Sequence, residues 1–89
     1  MPMILRIRGY RIGFYQADLV EPPHVHVKKQ GSEATFWLED LSVAEARGFR
    51  EHELNEIRRI LEEHRRAILT AWQSEERNRG DSAGENPRS

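Results

Sequence analysis

The chain has 89 residues, of which 37% are hydrophobic and 33% are charged, and its net charge at neutral pH is −1. This length suits one domain with a small core, and the balanced charge argues against a general nucleic-acid coat protein. The absence of cysteine excludes disulfides and thiolate metal sites, which fits the cytoplasm. No apolar run approaches the roughly 18 residues of a membrane span, and no signal-peptide pattern is present, so we expect a cytoplasmic protein without membrane contact.

The positive charge is concentrated near the start of the chain. Residues 1–29 carry five Lys or Arg side chains against two acidic ones, whereas residues 30–57 carry two against seven. Because the first of these segments is also where most strands are predicted, we expect a locally basic surface on the sheet.

Two strands are predicted on either side of Gly9. Apolar and polar residues alternate within residues 3–8 and again within residues 10–16. Alternation with a period of two indicates half-exposed strands, and the glycine between the runs indicates a turn. The sequence therefore predicts an antiparallel hairpin here.

The third predicted strand follows the diproline Pro22-Pro23, which ends a loop over residues 17–23. Prolines fix the backbone and lack an amide donor, so the chain there is extended but unpaired. From residue 24 the side chains alternate, with His24, His26 and Lys28 on one side and Val25 and Val27 on the other. This alternation predicts a strand whose valines face the core and whose imidazoles face away from it.

Residues 30–48 continue the predicted sheet. Gln30-Gly31 indicates a tight turn, and residues 33–38 alternate as a fourth strand. Residues 39–48 fit two structures, because the alternation at Leu41 and Val43 suits an edge strand, whereas Ser42 and Glu45 have the spacing of a helix capping box. We favour a short strand or extended arm.

One long helix is predicted from about Glu51 to about Trp72. Apolar residues recur there at steps of three and four and form one stripe: Leu54, Ile57, Leu61, Ile68, Ala71 and Trp72. Residues 74–89 lack such a period and are predicted to be a disordered tail. The expected fold is therefore a single α+β domain over residues 1–73. It consists of an antiparallel meander of three to five strands, packed on one face by a single long C-terminal helix.

The strand alternation divides the sheet residues into two sets. The first set matches the apolar helix stripe and is the predicted core: Leu5, Ile7, Tyr10, Ile12, Phe14, Val25, Val27, Ala34, Phe36 and Leu38. The second set would lie on the face that no helix covers: Ile4, Arg6, Arg8, Arg11, Tyr15, His24, His26, Lys28, Thr35 and Trp37. A bulge at Gly13 would move part of the second strand from one set to the other.

The uncovered set combines cations with aromatic rings. Such groups bind phosphates and stack bases, so RNA or a translation-related target is the first candidate ligand. An interface with a partner protein is the alternative, because Ile4, Tyr15 and Trp37 would give it an apolar centre. An ordinary solvated face is the simplest interpretation of all. The predicted binding residues are Arg6, Arg8, Arg11, Tyr15, His24, His26, Lys28 and Trp37.

Catalytic and metal-binding roles are less well specified by the sequence. His24 or His26 could act as a general base beside arginines in metal-free RNA cleavage, and these two are the weak catalytic candidates. A metal would need a third ligand, for which Glu21 is the best placed, while His64 is expected at the edge of the core and His52 in the first helical turn. We expect no metal and no cofactor.

Several segments together resemble a known family: Gly9-Tyr10-Arg11, Phe14-Tyr15, Glu21-Pro22-Pro23-His24-Val25-His26-Val27, Phe36-Trp37-Leu38 and Arg47-Gly48-Phe49. The chain resembles, over roughly residues 1–73, the small bacterial proteins of domain of unknown function 4160. Arg50 stands where a serine cap is usual in that family. The resemblance implies a compact α+β protein, often encoded beside a small protein of domain of unknown function 2442 in pairs described as toxin–antitoxin modules. It assigns no catalytic residue.

The string from His24 to Lys28 also resembles the motif of the histidine-triad nucleotide hydrolases, but Lys28 stands where their third histidine would be. We therefore expect a protein that works by binding, with the neighbouring small protein and RNA as candidate partners. A homodimer is a further candidate assembly.

Overall fold

A computed structural model of the chain describes residues 3–15 and 19–84. Five strands come first and two helices follow. The strands are β1 (Met3–Ile7), β2 (Tyr10–Gly13), β3 (His24–Lys29), β4 (Ser32–Trp37) and β5 (Val43–Arg47). The helices are α1 (Glu51–Glu63) and α2 (Arg65–Gly84).

The strands form one antiparallel sheet in the order β1-β2-β3-β4-β5, so each strand pairs with its neighbour in sequence. Two of the hairpins close through the turns Arg8-Gly9 and Gln30-Gly31, in which both residues have positive φ. Such turns match the right-handed twist of the paired strands. The predicted α+β class and antiparallel meander are confirmed, and residues 43–47 are a strand rather than a helix start.

The core lies between one face of the sheet and the helices. Fully buried side chains from the strands, such as Val25 and Phe36, belong to the same cluster as Ile57, Leu61 and Ile68 from the helices. Removing a Leu or Phe side chain from water stabilises the fold by about 1.5–3 kcal/mol, so this layer supplies most of the stability. The predicted burial of Leu61 and Ile68 against the sheet is confirmed.

The prediction of a single long helix is wrong, because the helix is interrupted at His64. This residue has φ −111° and ψ 13°, outside the helical region, and α2 starts at the next residue. Neither glycine nor proline marks the break, and the apolar stripe continues through it because Leu61 and Ile68 are seven residues apart, close to two helical turns. The periodicity therefore hid the interruption.

A second, smaller cluster lies at one end of the core. Trp72 of α2 is fully buried against Phe14, with ring centroids 4.9 Å apart, and Leu19 joins them. Ile4 also packs here, although the alternation of β1 places it on the uncovered face. The pairing of β1 with β2 shifts register around Ile4, and this extra residue turns the side chain towards the core. The shift is in β1 and not at Gly13.

The second helix extends to Gly84, well past the end predicted near Trp72. Residues 74–84 therefore belong to a helix, where the sequence predicts a disordered tail. The rest of that tail, residues 85–89, lies outside the described residues, as do residues 17 and 18 of the predicted loop.

Candidate functional site

The side of the sheet opposite the helices is called the open face below. One row of directly opposed residues crosses all five strands on this face. Cross-strand pairs join Arg6 to Arg11, Arg11 to Lys28, Lys28 to Glu33, and Glu33 to Arg47. The three cations at the start of this row, Arg6, Arg11 and Lys28, are named the basic row. Arg6 and Arg11 are exposed, and Lys28 is half-buried.

The charge of the open face is uneven along this row. The Glu33 carboxylate accepts a hydrogen bond of 2.8 Å from Arg47, so the far end of the row is neutralised within the protein. Glu45 lies on the same face, opposite Thr35. The sequence prediction left out Glu33, Glu45 and Arg47. The same alternation that selected Thr35 and Trp37 also places Glu33 with them and could have found it.

Aromatic side chains lie beside the basic row. The Tyr15 ring meets the His26 ring edge-on, with centroids 5.1 Å apart. His26 Nδ1 is 3.2 Å from the Thr35 hydroxyl, a hydrogen bond that fixes the orientation of the imidazole. Tyr15, His26 and Trp37 are all half-buried, so each ring presents part of its surface to solvent.

Lys28 connects the basic row to the aromatic rings. Its ammonium group donates a hydrogen bond of 3.0 Å to the Tyr15 hydroxyl and lies 5.7 Å from the centre of that ring. The hydrogen bond to Tyr15 raises the pKa of Lys28, so the side chain is fully charged at neutral pH. A fixed cation thus stands next to an aromatic surface.

His24 does not belong to the accessible part of this face. Its side chain is buried, and its ring lies 5.4 Å from Trp37 and 5.6 Å from Trp72. Its Nδ1 donates to the Pro22 carbonyl over 2.9 Å, and its Nε2 is 3.8 Å from a Glu21 carboxylate oxygen. The predicted role of His24 as an exposed binding residue is wrong, because Trp72 of α2 and the loop before β3 enclose its ring.

Arg8 is also absent from the open face. Its guanidinium donates to Glu56 of α1 over 3.0 Å, and the Tyr10 hydroxyl donates to the same carboxylate over 2.9 Å. Alternation placed Arg8 with Arg6, but Arg8 is the first residue of the turn, with φ 52°, and no longer follows the strand period. The prediction that Arg8 lies among the binding residues of the open face is therefore wrong.

Arg8, Tyr10 and Glu56 form a cluster in which the pKa values of Tyr10 and Glu56 are shifted. Burial, followed by the hydrogen bond and charge of Glu56, raises the pKa of Tyr10 to about 12. The hydrogen bonds from Tyr10 and Arg8 lower the pKa of Glu56. Glu56 is therefore ionised and Tyr10 protonated at neutral pH, and the cluster ties the first hairpin to α1.

Trp37 borders a groove at the other end of the open face. Besides Trp37, the residues that line it are Pro22, Pro23, Glu39 and Asp40, and its volume is about 280 Å³. These residues are named the Trp37 groove. Its two carboxylates lie in the turn that follows β4, and the sequence prediction did not include them. Acidic side chains at the end of a strand are common in turns, so the pattern alone gave no sign of a groove.

A metal site would need three ligands placed close together. Within residues 3–15 and 19–84, no group of three or more His, Asp or Glu side chains is placed to hold an ion. The two histidine rings lie 5.3 Å apart, edge to face, and His24 is held by backbone contacts. Of the two weak catalytic candidates, His26 is the one that is accessible to solvent on the open face, whereas His24 is buried.

None of the described helices combines the length of a membrane span with the apolar character that crossing a membrane requires.

A comparison with known protein families shows to which family the chain belongs. The family described as Domain of unknown function (DUF4160) matches residues 9–73, which is more than half of the chain, and the protein belongs to this family. Searches among curated proteins and among solved structures found no match.

Proposed function

We propose that the protein is a small cytoplasmic RNA-binding component of a two-gene module of toxin–antitoxin type. In this proposal the basic row contacts phosphates and the adjacent rings contact bases of a single strand. The resemblance described for the sequence supports the two-gene module. The observation that carries RNA binding is the direct opposition of Arg6 to Arg11 and of Arg11 to Lys28.

Opposed like charges are unfavourable within a sheet. Two cations placed directly across a strand pair repel each other, and such pairs destabilise a sheet by a few tenths of a kcal/mol or more. The fold contains two such pairs in succession, and the only carboxylate in the row, Glu33, is bound to Arg47. An anionic ligand along the row would relieve this repulsion.

The dimensions of the row suit consecutive phosphates. Neighbouring strands lie about 4.8 Å apart, so the three cations span roughly 10 Å across β1, β2 and β3. That span accommodates two or three phosphates of an extended strand. One arginine guanidinium can donate two parallel hydrogen bonds to the oxygens of one phosphate. Each phosphate that is neutralised also releases counterions, which favours binding.

The aromatic rings favour a single strand over a duplex. Tyr15 and His26 stand beside Lys28, so bases attached to the bound phosphates would reach their exposed surfaces. Stacking of a base on an aromatic side chain contributes about 1–3 kcal/mol and does not require a particular sequence. Bases in a duplex are already stacked on one another and could not reach these rings.

The test is binding of a fluorescent single-stranded RNA of about 12 nucleotides, measured by anisotropy. Arg6→Ala combined with Arg11→Ala should weaken binding roughly tenfold at physiological salt, because two phosphate contacts are lost. Arg8→Ala is the matched control, since it removes an arginine from the same hairpin on the other side of the sheet. Equal affinities of the double variant and the wild type would contradict the proposal, and gel analysis of the same samples detects any cleavage.

A partner protein is the second candidate, and the Trp37 groove is the observation that favours it. The groove combines an aromatic ring with two prolines, which are the kinds of surface that dominate protein interfaces. The neighbouring small protein of domain of unknown function 2442 is the partner to test. Co-purification from cells that express both genes should be lost with Trp37→Ala, and intact co-purification would contradict this second function.

A further inference from the structure

Backbone hydrogen bonds hold the walls of the Trp37 groove together. The Leu38 amide donates to the Pro23 carbonyl over 3.0 Å, which joins the two walls of the groove. The Trp37 amide donates to the Ser42 carbonyl over 2.9 Å, and the Leu41 amide donates to the Trp37 carbonyl over 2.8 Å. These two hydrogen bonds close the turn after β4. A ligand therefore meets a preformed site and loses little affinity to loop ordering.

The helices hold the same turn from the other side. Arg58 of α1 donates to the Leu41 carbonyl over 3.0 Å, and Arg65 of α2 donates to the Glu39 carbonyl. These contacts use backbone oxygens and leave the carboxylate of Glu39 for other interactions, since no ion pair or hydrogen bond of that carboxylate occurs among the described side chains. The backbone of the groove is thus held by hydrogen bonds to Pro23, within the turn after β4, and from α1 and α2.

The charge of the groove is negative. Glu39 and Asp40 both line it with exposed side chains. The Arg65 guanidinium, which donates to the Glu39 carbonyl, offsets part of their charge and leaves a net negative lining. The Asp40 carboxylate accepts hydrogen bonds from the Ser42 hydroxyl and amide over 2.7 and 3.0 Å. The Ser42 hydroxyl is the main cause that lowers the pKa of Asp40, so this carboxylate is ionised at neutral pH.

We propose that the Trp37 groove receives an arginine or lysine side chain of a partner protein. This proposal rests on the second of the two functions above and states the chemistry by which the partner would be recognised. The alkyl part of the side chain would lie against Pro22 and Pro23, and its charged end would meet the indole ring and the two carboxylates. Charge complementarity selects this occupant over an acidic or purely apolar one.

The walls of the groove suit an organic cation. Tryptophan is the best aromatic partner for a cation, and such contacts contribute about 0.5–2 kcal/mol. The volume of about 280 Å³ leaves room for one long side chain. A hydrated metal ion would make no use of the indole or of the prolines.

The basic row and the Trp37 groove would thus recognise opposite charges at two ends of one face. Glu39 and Asp40 would repel an RNA strand that continued past His26 towards Trp37. The proposal therefore limits the RNA surface to Tyr15, His26 and the basic row, and assigns Trp37 to the protein partner.

The test uses the peptide acetyl-Gly-Arg-Gly-amide and the ¹H–¹⁵N NMR spectrum of the full chain. The citrulline peptide, which has nearly the same shape without the charge, is the ligand control. Addition of the arginine peptide, up to about ten millimolar, should shift the indole N–H signal of Trp37 and the amide signals of Glu39 and Asp40. No shift, or equal shifts with the citrulline peptide, would overturn the proposal.

The affinity of the arginine peptide for two variants and one control variant shows which side chains contribute to binding. Glu39→Gln should weaken the arginine peptide about two- to fivefold, as expected for one exposed ion pair. Trp37→Leu, followed through the Glu39 amide signal, should weaken it by about tenfold. Glu62→Gln, an exposed carboxylate on α1, should leave affinity unchanged, and loss of affinity equal to that of Glu39→Gln would show only general attraction to an acidic protein. The probe is a peptide, so the result is independent of RNA binding and of the identity of the neighbouring protein.

Discussion

The two faces of the sheet are built from the same strands, yet they differ in what holds their side chains. On the covered face, residues such as Ile12, Val27 and Phe36 are fully buried against the helices. On the open face, cations, carboxylates and rings are joined by hydrogen bonds, ion pairs and edge-on ring contacts, and most of them keep contact with solvent. Substitutions on the covered face should therefore change stability, and substitutions on the open face should change binding.

The open face is itself divided. Arg6, Arg11 and Lys28 make one end basic, whereas Glu39 and Asp40 make the Trp37 end acidic. A net charge of −1 for the whole chain conceals this separation. If both proposals hold, this face could bind an anionic strand and a cationic side chain at the same time.

The largest effect is expected on the covered face. Leu61→Ala should lower the free energy of unfolding by about 2–5 kcal/mol, because the fully buried side chain leaves a cavity between the helix and the sheet. Arg6→Ala on the open face should change it by less than about 0.5 kcal/mol. Urea unfolding followed by circular dichroism measures both, and similar losses for the two variants would contradict the division between the faces.

His24 and His26 provide a sharper comparison, because they are two residues apart on the same strand. His24→Ala should lower stability by about 1–3 kcal/mol, since the buried ring and its hydrogen bond to the Pro22 carbonyl are lost. His26→Ala should cost less than about 1 kcal/mol but should weaken RNA binding. The reverse pattern, with His26 the more important for stability, would contradict our assignment of His24 as a structural residue.

Much of this arrangement could be predicted from the sequence. Alternation with a period of two identified the first four strands and most of the core, because one side of each strand must be apolar if it is to be buried. It left residues 39–48 open between an edge strand and a helix start, and residues 43–47 form the fifth strand. It also placed Arg6, Arg11, Lys28 and Trp37 on the open face. The family resemblance rested on several short segments along the chain, of which the one around His24 and His26 is the most specific, and the match over residues 9–73 confirms it.

The predictions that proved wrong have physical causes that an alternating pattern of side chains cannot show. Arg8 leaves the strand period because it opens a turn with positive φ, and Ile4 leaves it at a shift of register. The burial of His24 depends on Trp72, some fifty residues later, and on the loop before β3. Alternation gives the side on which a residue lies, but it does not give what covers that side.

The smallest effect concerns the cluster that joins the first hairpin to α1. The pKa of Tyr10 is raised to about 12, so the unfolded chain loses this proton at a lower pH than the folded one. The contribution of Tyr10 is therefore complete below pH 10 and is lost as the pH rises towards 12, a change on the order of 1 kcal/mol. Tyr10→Phe should flatten the fall in stability over this interval, and an unchanged fall would show that other groups cause it.

The salt dependence of RNA binding tests the central claim most directly. If Arg6, Arg11 and Lys28 each neutralise one phosphate of a single strand, the logarithm of the binding constant should fall with the logarithm of salt concentration with a slope of about −2. Arg11→Ala should make this slope shallower by about 0.7, whereas Arg8→Ala should leave it unchanged because Arg8 is bound to Glu56 on the other side. A wild-type slope near zero, or equal changes in the two variants, would contradict the assignment of the basic row as the RNA-binding surface.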